Sequence, residues 1–362
     1  QIMPPIMGIG AFIMAEMLGV PYMHIAKSAI IPALAYYMSV FFLVTLLAKK
    51  RDLDKTSNTV SIEVKPILPR LYLLLPAFIL VYFMIAGASL MRSAMYGIYA
   101  VLILNIVSYF LPERKNFVSP RDLLNGLVQG SKQAAEIAIP TAACGIIIGI
   151  VIQSGLATKI SGLIASIGIS NLFFALIIAM LGCIVLGMAL PTVAAYLVAV
   201  VLFVPTLTGL NIPPLQANMF VFYFGVMAQI TPPVCLASFT AAGIAGADAM
   251  KTGWTAFRYA LVAFLIPFVF IYDPSILMLG SPLQILRGSV VVLIGVYFLA
   301  SAMAGYMNGT IGMFWRILLF VASVMLIVPE TITDIVGICL GILVFILSYV
   351  KNRHEKRVKV AI

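Results

Sequence analysis

The chain has 362 residues, of which 63% are hydrophobic and only 9% are charged. A soluble protein is about 45–50% apolar and about 25% charged, so these residues cannot build a water-facing surface for a chain of this length. The composition excludes a soluble enzyme, a secreted disulfide scaffold and a disordered regulator. It predicts a polytopic membrane protein that contacts the lipid bilayer over most of its surface.

Apolar segments long enough to cross a bilayer as helices follow one another along the chain, which predicts an all-α fold. They comprise residues 28–48, 67–86, 92–111, 134–155, 254–272, 287–305, 314–328 and 335–350. Two further stretches are long and contain internal prolines, namely 171–207 with Pro191 and 214–247 with Pro232 and Pro233. Before all of these, residues 4–19 form an apolar stretch that is short for a full span.

The net charge of +10 indicates membrane topology and no nucleic-acid partner. Lys and Arg concentrate in loops 49–66 and 112–122 and in the tail after residue 350. Two predicted helices separate the first two loops, so both lie on one side, which we take as cytoplasmic. The C-terminal tail reaches that side only if 171–207 enters and leaves by one face, as a re-entrant hairpin that turns near Pro191. An ordinary helix kinked at this proline would place the tail outside.

The predicted hairpin has a physical consequence, because irregular backbone at membrane depth is tolerated only where protein buries it or a watery cavity receives it. A turn at residues 187–192 therefore predicts a cavity beside it. The stretch 123–136 mixes charged and apolar residues, with Lys132 and Glu136 four positions apart. This pattern favours an amphipathic interfacial helix with an i,i+4 ion pair, and a proton relay is the alternative.

A short motif occurs twice in the chain. Residues 1–6 read QIMPPI and residues 229–234 read QITPPV, so four of the six positions are identical. Each copy precedes a short helix of small residues, a loop and a span with an internal proline, Pro32 or Pro267. The topology deduced from charge gives the two copies opposite orientations. Inverted repeats with broken helices are the architecture of secondary transporters.

Each Pro-Pro pair predicts an unwound segment, because proline removes a backbone donor and clashes with the preceding helical turn. The freed carbonyl groups, here around Gln229, Ile230 and Thr231, can coordinate a cation such as Na⁺. The N-termini of the half-helices can bind an anion. The motif thus predicts ion and substrate binding at the breaks.

Three segments carry a resemblance to a known family: QIMPPIMGIGAFIMAE at 1–16, LGMALPTVAAYLVAVVLFVPTL at 186–207 and FYFGVMAQITPPVCLASFTAAGIAGADAMKTGWTAFR at 222–258. Over residues 1–274 the chain resembles the large membrane subunit of TRAP (tripartite ATP-independent periplasmic) transporters. The similarity is to the fused-permease branch that TAXI-type binding proteins serve. It implies a Na⁺-coupled importer of small organic anions, such as C4-dicarboxylates or other carboxylates, which works by an elevator mechanism.

The resemblance also implies the surroundings of the chain. A periplasmic substrate-binding protein delivers the anion, and a small membrane domain is expected to be fused upstream. The expected location is the bacterial or archaeal cytoplasmic (inner) membrane, with a cytoplasmic C-terminus. The implied activity is transport and not enzymatic catalysis, with Na⁺ as coupling ion and no organic cofactor.

The same resemblance divides the chain into five regions. Residues 1–48 correspond to the end of the first inverted repeat, whose hairpin is expected upstream. Residues 49–133 are scaffold helices and an amphipathic arm, and 134–274 are the second inverted repeat, with hairpin 171–207 and broken helix 214–247. Three additional transmembrane helices at 275–350, interpreted as peripheral, precede a basic cytoplasmic tail at 351–362.

Site residues are carried over from the family pattern, in which the hairpin tip faces the unwound segment. The implied Na⁺ ligands, mostly backbone carbonyls, are Met3, Gly187, Ala189, Thr192, Gln229 and Thr231. The implied substrate contacts are Pro4, Pro5, Pro191, Thr192, Ala194, Pro232 and Pro233. For Thr192 and Thr231, the alternative is a hydroxyl that bonds only a carbonyl of its own helix.

Two other functions stay open at this point. One is a Na⁺/anion symporter of related fold that needs no binding protein, and the other is a passive channel. An intramembrane enzyme would need paired acids or histidines at depth, and the apolar segments lack them.

Overall fold

The computed structural model describes residues 1–51, 68–110, 118–188, 190–327 and 331–360. Within these residues the fold is helical, and the sole β-type pairing is an isolated bridge between Tyr306 and Thr310. The helices are α1 (Ile9–Leu18), α2 (Tyr22–Lys50), α3 (Leu75–Ile85), α4 (Leu90–Phe110), α5 (Pro120–Gln153), α6 (Leu156–Ser170), α7 (Leu172–Gly187), α8 (Thr192–Gly209), α9 (Pro214–Met227), α10 (Leu236–Ala245), α11 (Ala249–Tyr259), α12 (Leu261–Tyr272), α13 (Pro282–Ala304), α14 (Met313–Ile327) and α15 (Thr331–Val360). Short 3-10 turns occur at Leu68–Leu74, Ala228–Ile230 and Pro274–Leu277.

Several of these helices have the length and composition of membrane spans. Across the described residues, five segments are long and apolar enough to cross a bilayer: α2, α4, α8, the consecutive helices α11 and α12 taken together, and α13. A bent pair within α5 and α6 makes six if it is one span. The prediction of an all-α polytopic membrane protein is therefore confirmed. The segment at 67–86 forms a shorter apolar helix than expected, whereas α14 has the 15 residues of the predicted segment 314–328 but is short for a full span. For α3 the reason is local: a 3-10 turn precedes it, and Pro76 occupies its first turn, where a missing N–H costs least.

The two proline-interrupted stretches are both split. The stretch 171–207 forms α7 and α8, which pack against each other and are joined by residues 188–191. At 1.5 Å per residue α7 is about 24 Å long and α8 about 27 Å, close to the ~30 Å hydrocarbon thickness. The stretch 214–247 forms α9 and α10, separated by eight residues, 228–235. The helix break is confirmed, whereas the re-entrant path in a bilayer stays a prediction.

Three expected boundaries differ from the helices observed. Helix α5 runs unbroken through residues 133 and 134, so the amphipathic arm and the following apolar segment form one helix. The segment 254–272 belongs to two helices, because α11 ends at Tyr259 and α12 begins at Leu261. Helix α15 continues to Val360 and includes most of the predicted tail. Hydropathy alone marks where a helix leaves the apolar region, and not where its backbone hydrogen bonds stop.

The core lies around α9, which is buried on all sides. Its aromatic residues Phe220, Phe222, Tyr223 and Phe224 have no exposed surface. A helix that is apolar all round is typical of such a central position. Helices α7, α8 and α12 pack on α9, and α1 packs on both α8 and α9.

The first of the three C-terminal helices, α13, packs directly on this body. Helix α13 packs along α2, in the region assigned to the first repeat, and against α14, which in turn packs on α15. Lys50 at the end of α2 donates to the Ala304 carbonyl at the end of α13, with 2.7 Å between Nζ and O. Arg316 of α14 donates to the Ala302 carbonyl at 2.8 Å. Cations are favourable at a helix C-terminus, so both side chains stabilise this junction.

Candidate functional site

The hairpin tip and the break after α9 lie against each other. Gln229 extends its amide from the break to the tip, where Nε2 donates to the Leu190 carbonyl at 2.8 Å and more weakly to the Gly187 carbonyl at 3.4 Å. Leu190 and Gln229 are 39 positions apart in the chain. The structure therefore brings together two of the predicted site residues, Gly187 and Gln229.

Only glycine fits at position 187, because the contact leaves no room for a side chain. A Cβ atom added to it would lie 2.7 Å from the Ala228 Cβ and 3.4 Å from the Gly225 carbonyl oxygen. A separation of 2.7 Å between two carbon atoms is far inside van der Waals contact, and neither carbon belongs to a flexible side chain. The end of α7 can approach the 3-10 turn at 228–230 only because residue 187 has no side chain.

The break itself runs from Ala228 to Cys235. Thr231 is 8% exposed, and its Oγ1 donates to the Met227 carbonyl at 2.8 Å. The Thr231 backbone carbonyl accepts from the Cys235 N–H at 3.2 Å. The expectation that the helix break frees this carbonyl is therefore wrong. The hydroxyl proton is thus used within the helix, while the hydroxyl oxygen keeps lone pairs for a cation.

Proline removes the helical hydrogen-bond donor of a second carbonyl at the break. In a continuous helix, the N–H of residue 233 would bond the carbonyl of residue 229. Pro233 has no N–H, so the Gln229 carbonyl loses this partner. The side chain of Gln229 meanwhile holds the hairpin tip, so one residue presents both an oriented amide and a released carbonyl.

The tip ends in a helix N-terminus. Pro191 precedes α8, Thr192 is its first residue, and the first intrahelical bond runs from Ala195 N to the Pro191 carbonyl at 2.9 Å. The amides of the first turn, including that of Ala194, have no intrahelical acceptor, which is the arrangement that binds anions. The Ala194 side chain is 1% exposed, so only its backbone can contribute. Ala189 lies outside the described residues.

The two Pro-Pro motifs have the same local structure. The Pro4–Pro5 and Pro232–Pro233 peptide bonds are both cis, and residues at equivalent positions in the two copies, Met7 and Cys235, have positive φ angles of 30° and 21°. The repeat seen in the sequence is therefore also present in the backbone.

The helices that follow the motifs match as well. Helices α1 and α10 each have 10 residues, and they end at glycines in the left-handed conformation, Gly19 and Gly246. The next residue then bonds back into the helix, from Val20 N to Ala15 O at 3.0 Å and from Ala247 N to Ala242 O at 2.9 Å. This is the Schellman pattern in both copies. Their opposite orientation in a bilayer stays a prediction.

The first motif connects to the same packed body through α1. Tyr22 donates its hydroxyl to the Pro5 carbonyl at 2.8 Å. A Cβ on Gly10 of α1 would lie 2.9 Å from the Phe222 ring of α9, which shows how closely the two helices approach. Met3 and Pro4 are half-buried at the start of this segment. Direct contact of these residues with the hairpin tip, as a shared site would require, stays a prediction.

A cleft of about 1,040 Å³ opens beside the break, between α7 and α12. Thr231, Pro232 and Met188 contribute to its wall, and its remaining lining is dominated by Phe, Leu, Ile and Met side chains. From the predicted hairpin we expected a water-filled cavity, whereas the cleft beside the break has a largely apolar wall. Its apolar wall suits lipid or a packed helix better than free water.

Sequence reasoning missed a polar cluster that joins α8, the second helix of the hairpin, to α9. Tyr196 of α8 donates to Asn218 Oδ1 of α9 at 3.0 Å, and Asn218 Nδ2 donates to the Pro214 carbonyl at 2.8 Å. Gln216 Nε2 reaches the Phe270 carbonyl of α12 at 2.9 Å. All three side chains are buried. The available signal was the pair of amides inside an apolar helix, since buried amides need partners.

Comparison with known proteins identifies one family. The model of the family described as "Tripartite ATP-independent periplasmic transporter, DctM component" matches residues 1–283. That range includes both Pro-Pro motifs and the α7–α8 hairpin, and it ends at the first residues of α13. No curated protein and no solved structure matches the chain.

Proposed function

The chain belongs to the DctM component family of tripartite ATP-independent periplasmic transporters, so it is a membrane permease component, and we propose that it imports a small organic anion together with Na⁺. The observation that carries this proposal is the bridge from Gln229 to the hairpin tip. It joins a released carbonyl, suited to a cation, to a helix N-terminus, suited to an anion. When a cation site and an anion site are adjacent, binding of one ion favours binding of the other, and such coupling is what joint transport uses.

The proposed Na⁺ site uses uncharged oxygen atoms. Among the described residues, the structure holds no group of three or more His, Cys, Asp or Glu side chains that could bind a metal ion. A site for a hard cation here would therefore use backbone carbonyls and the hydroxyls of Thr192 and Thr231. We assign Gly187, Ala189, Gln229 and Met3 to it mainly through their carbonyl groups.

The proposed anion site uses backbone donors. The first turn of α8, at Thr192 and Ala194, would bind a carboxylate with its free N–H groups and a hydroxyl. Pro191, Pro232 and Pro233 would form the surrounding wall, and Pro4 and Pro5 the matching half-site from the first repeat. In the elevator mechanism that we propose, this packed body moves across the bilayer as a unit and carries both ligands.

The family implies a periplasmic binding protein and a small membrane partner. We further propose that the binding protein is of the TAXI type and that the small domain is fused to this chain in the complete permease. The multi-pass chain would lie in the inner membrane of a bacterium or archaeon, with its C-terminus in the cytoplasm.

Uptake into proteoliposomes tests the proposal. The complete permease is reconstituted and supplied with its binding protein and labelled carboxylates, with Na⁺ or choline outside. We expect electrogenic uptake that needs both Na⁺ and the binding protein. Uptake with Na⁺ but without the binding protein would support the symporter alternative, and uptake unaffected by replacing Na⁺ with choline would refute Na⁺ coupling.

A further inference from the structure

A polar cavity of about 370 Å³ lies where the last helices join the region matched by the family. The end of α12, the 3-10 turn after it and the first turns of α13 form most of its wall, and α15 contributes Asp334. Its charged lining residues are Asp273, Arg287 and Asp334. The cavity is separate from the hairpin tip, and the proposed function assigns it no role.

In the part of the chain that the structure describes, two oxygen atoms of this wall are buried without a hydrogen-bond partner. Asp334 is 7% exposed, and Arg287 Nη2 donates to its Oδ2 at 2.5 Å, while its Oδ1 has no hydrogen bond. Ser275 is 5% exposed, and its Oγ also has no hydrogen bond. A buried polar atom without a partner destabilises the folded protein, so two in one cavity require an explanation.

A third oxygen converges on the same space. Asp273 Oδ1 accepts from the Ser275 N–H at 2.9 Å, which orients the carboxylate. A Cβ placed on Gly288 would lie 3.2 Å from Asp273 Oδ2 and 2.6 Å from Ser275 Oγ. Both oxygens therefore face one point, which is open because residue 288 has no side chain.

The net charge of the cavity lining favours a positively charged ligand. Among the described residues, its lining has two carboxylates and one guanidinium, and that guanidinium is bonded to Asp334. The remaining net charge is negative, and the unpartnered Oδ1 can only accept a hydrogen bond or bind a cation. Tyr272 ends α12 at the cavity wall, and the carbonyl groups at a helix C-terminus carry partial negative charge.

We propose that this cavity binds a monovalent metal cation of the Na⁺ class, with ligands from Asp273, Ser275 and Asp334. Hard cations take oxygen ligands of these types, and a single positive charge balances the site. Asp273 and Ser275 lie inside the family-matched range and Asp334 lies beyond it. The bound ion would therefore connect α15 to the end of α12.

Equilibrium binding of ²²Na⁺ to the purified protein in detergent tests the proposal. We expect Asp273→Asn to reduce the number of Na⁺ ions bound per protein by one. Ser275→Ala should weaken binding at this site about tenfold, as expected for the loss of one ligand worth ~1.4 kcal/mol. Asp248→Asn is the matched control, because Asp248 caps α11 outside the cavity and asparagine caps a helix equally well.

Unchanged ²²Na⁺ binding by the Ser275 variant would contradict the proposed cation site. If Ser275 Oγ is only an unsatisfied group, Ser275→Ala leaves ²²Na⁺ binding unchanged and raises the melting temperature, which overturns the proposal. If Asp273→Asn aggregates on size-exclusion chromatography, Ser275→Ala alone decides, since it removes a single oxygen atom. The experiment measures Na⁺ binding and not uptake. Its result therefore tests this site independently of the proposed transport function.

Discussion

The contact between the hairpin tip and the break is tested most sharply by the substitution Gly187→Ala. The new methyl group would lie 2.7 Å from the Ala228 Cβ, where ordinary contact between two such carbons is about 3.5–4.0 Å. The tip must therefore move by roughly 1 Å away from the 3-10 turn. Overpacking of this kind costs about 1–3 kcal/mol. The same movement lengthens the bonds from Gln229 to the tip, so we expect Na⁺-dependent uptake to be lost.

Gly225→Ala is the matched control, because it adds the same methyl group three residues from Ala228. There the nearest atoms are the backbone N and Cα of Tyr196, at 3.7 and 3.8 Å, which is ordinary contact. Inside a helix, alanine is favoured over glycine by about 0.5–1 kcal/mol. We therefore expect this variant to keep its uptake and to be as stable as the parent or slightly more stable.

A compensating variant separates the contact from general damage. In Gly187→Ala combined with Ala228→Gly, the methyl group is moved from one side of the contact to the other, so we expect most of the uptake to return. Thermal unfolding in detergent and uptake into proteoliposomes are measured for all variants. If Gly187→Ala matches Gly225→Ala in melting temperature and in uptake, the tip does not pack on the break as described.

Three further predictions concern ligands and helix junctions. Thr192→Ala and Thr231→Ala should each raise the Na⁺ concentration for half-maximal uptake about tenfold, and unchanged Na⁺ affinity in both would contradict their assignment. Arg287→Ala should lower the melting temperature because it removes the ion-pair partner of the Asp334 carboxylate. Breaking a fully buried ion pair costs about 3–5 kcal/mol. The loss of stability should be smaller here, since the Arg287 side chain is 50% exposed. Lys50→Met removes the 2.7 Å bond to the last carbonyl of α13 and should destabilise the protein by about 1 kcal/mol, whereas Lys49→Met, at an exposed position, should have no measurable effect.

The helix breaks could be predicted from the sequence because their cause is local. Proline has no N–H wherever it stands, so the pair Pro232–Pro233 interrupts its helix regardless of the surrounding fold. The duplication of the motif was visible for the same reason. The late start of α3 also has a local cause, which is Pro76 in its first turn. Average hydropathy does not detect this proline because its neighbours are apolar.

The contacts that form the candidate site could not be deduced from spacing. Gln229 and Leu190 are 39 positions apart, and only the packing of the hairpin on α9 brings them together. The family resemblance implied this arrangement, whereas composition and periodicity did not. The polar cavity was missed because Asp273 and Asp334 are far apart in the sequence and come together only in the folded chain. Tertiary contacts of this kind depend on which helices pack together.

The most direct test of the central claim is the Na⁺ dependence of uptake by Gln229→Leu in proteoliposomes. Leucine fills a similar volume but has no amide, so it removes the bonds to the Gly187 and Leu190 carbonyls without creating a large void. We predict a folded protein that has lost Na⁺-driven uptake of the anion. Uptake with the rate and the Na⁺ dependence of the parent protein would contradict the claim that the bridged tip and break form the transport site.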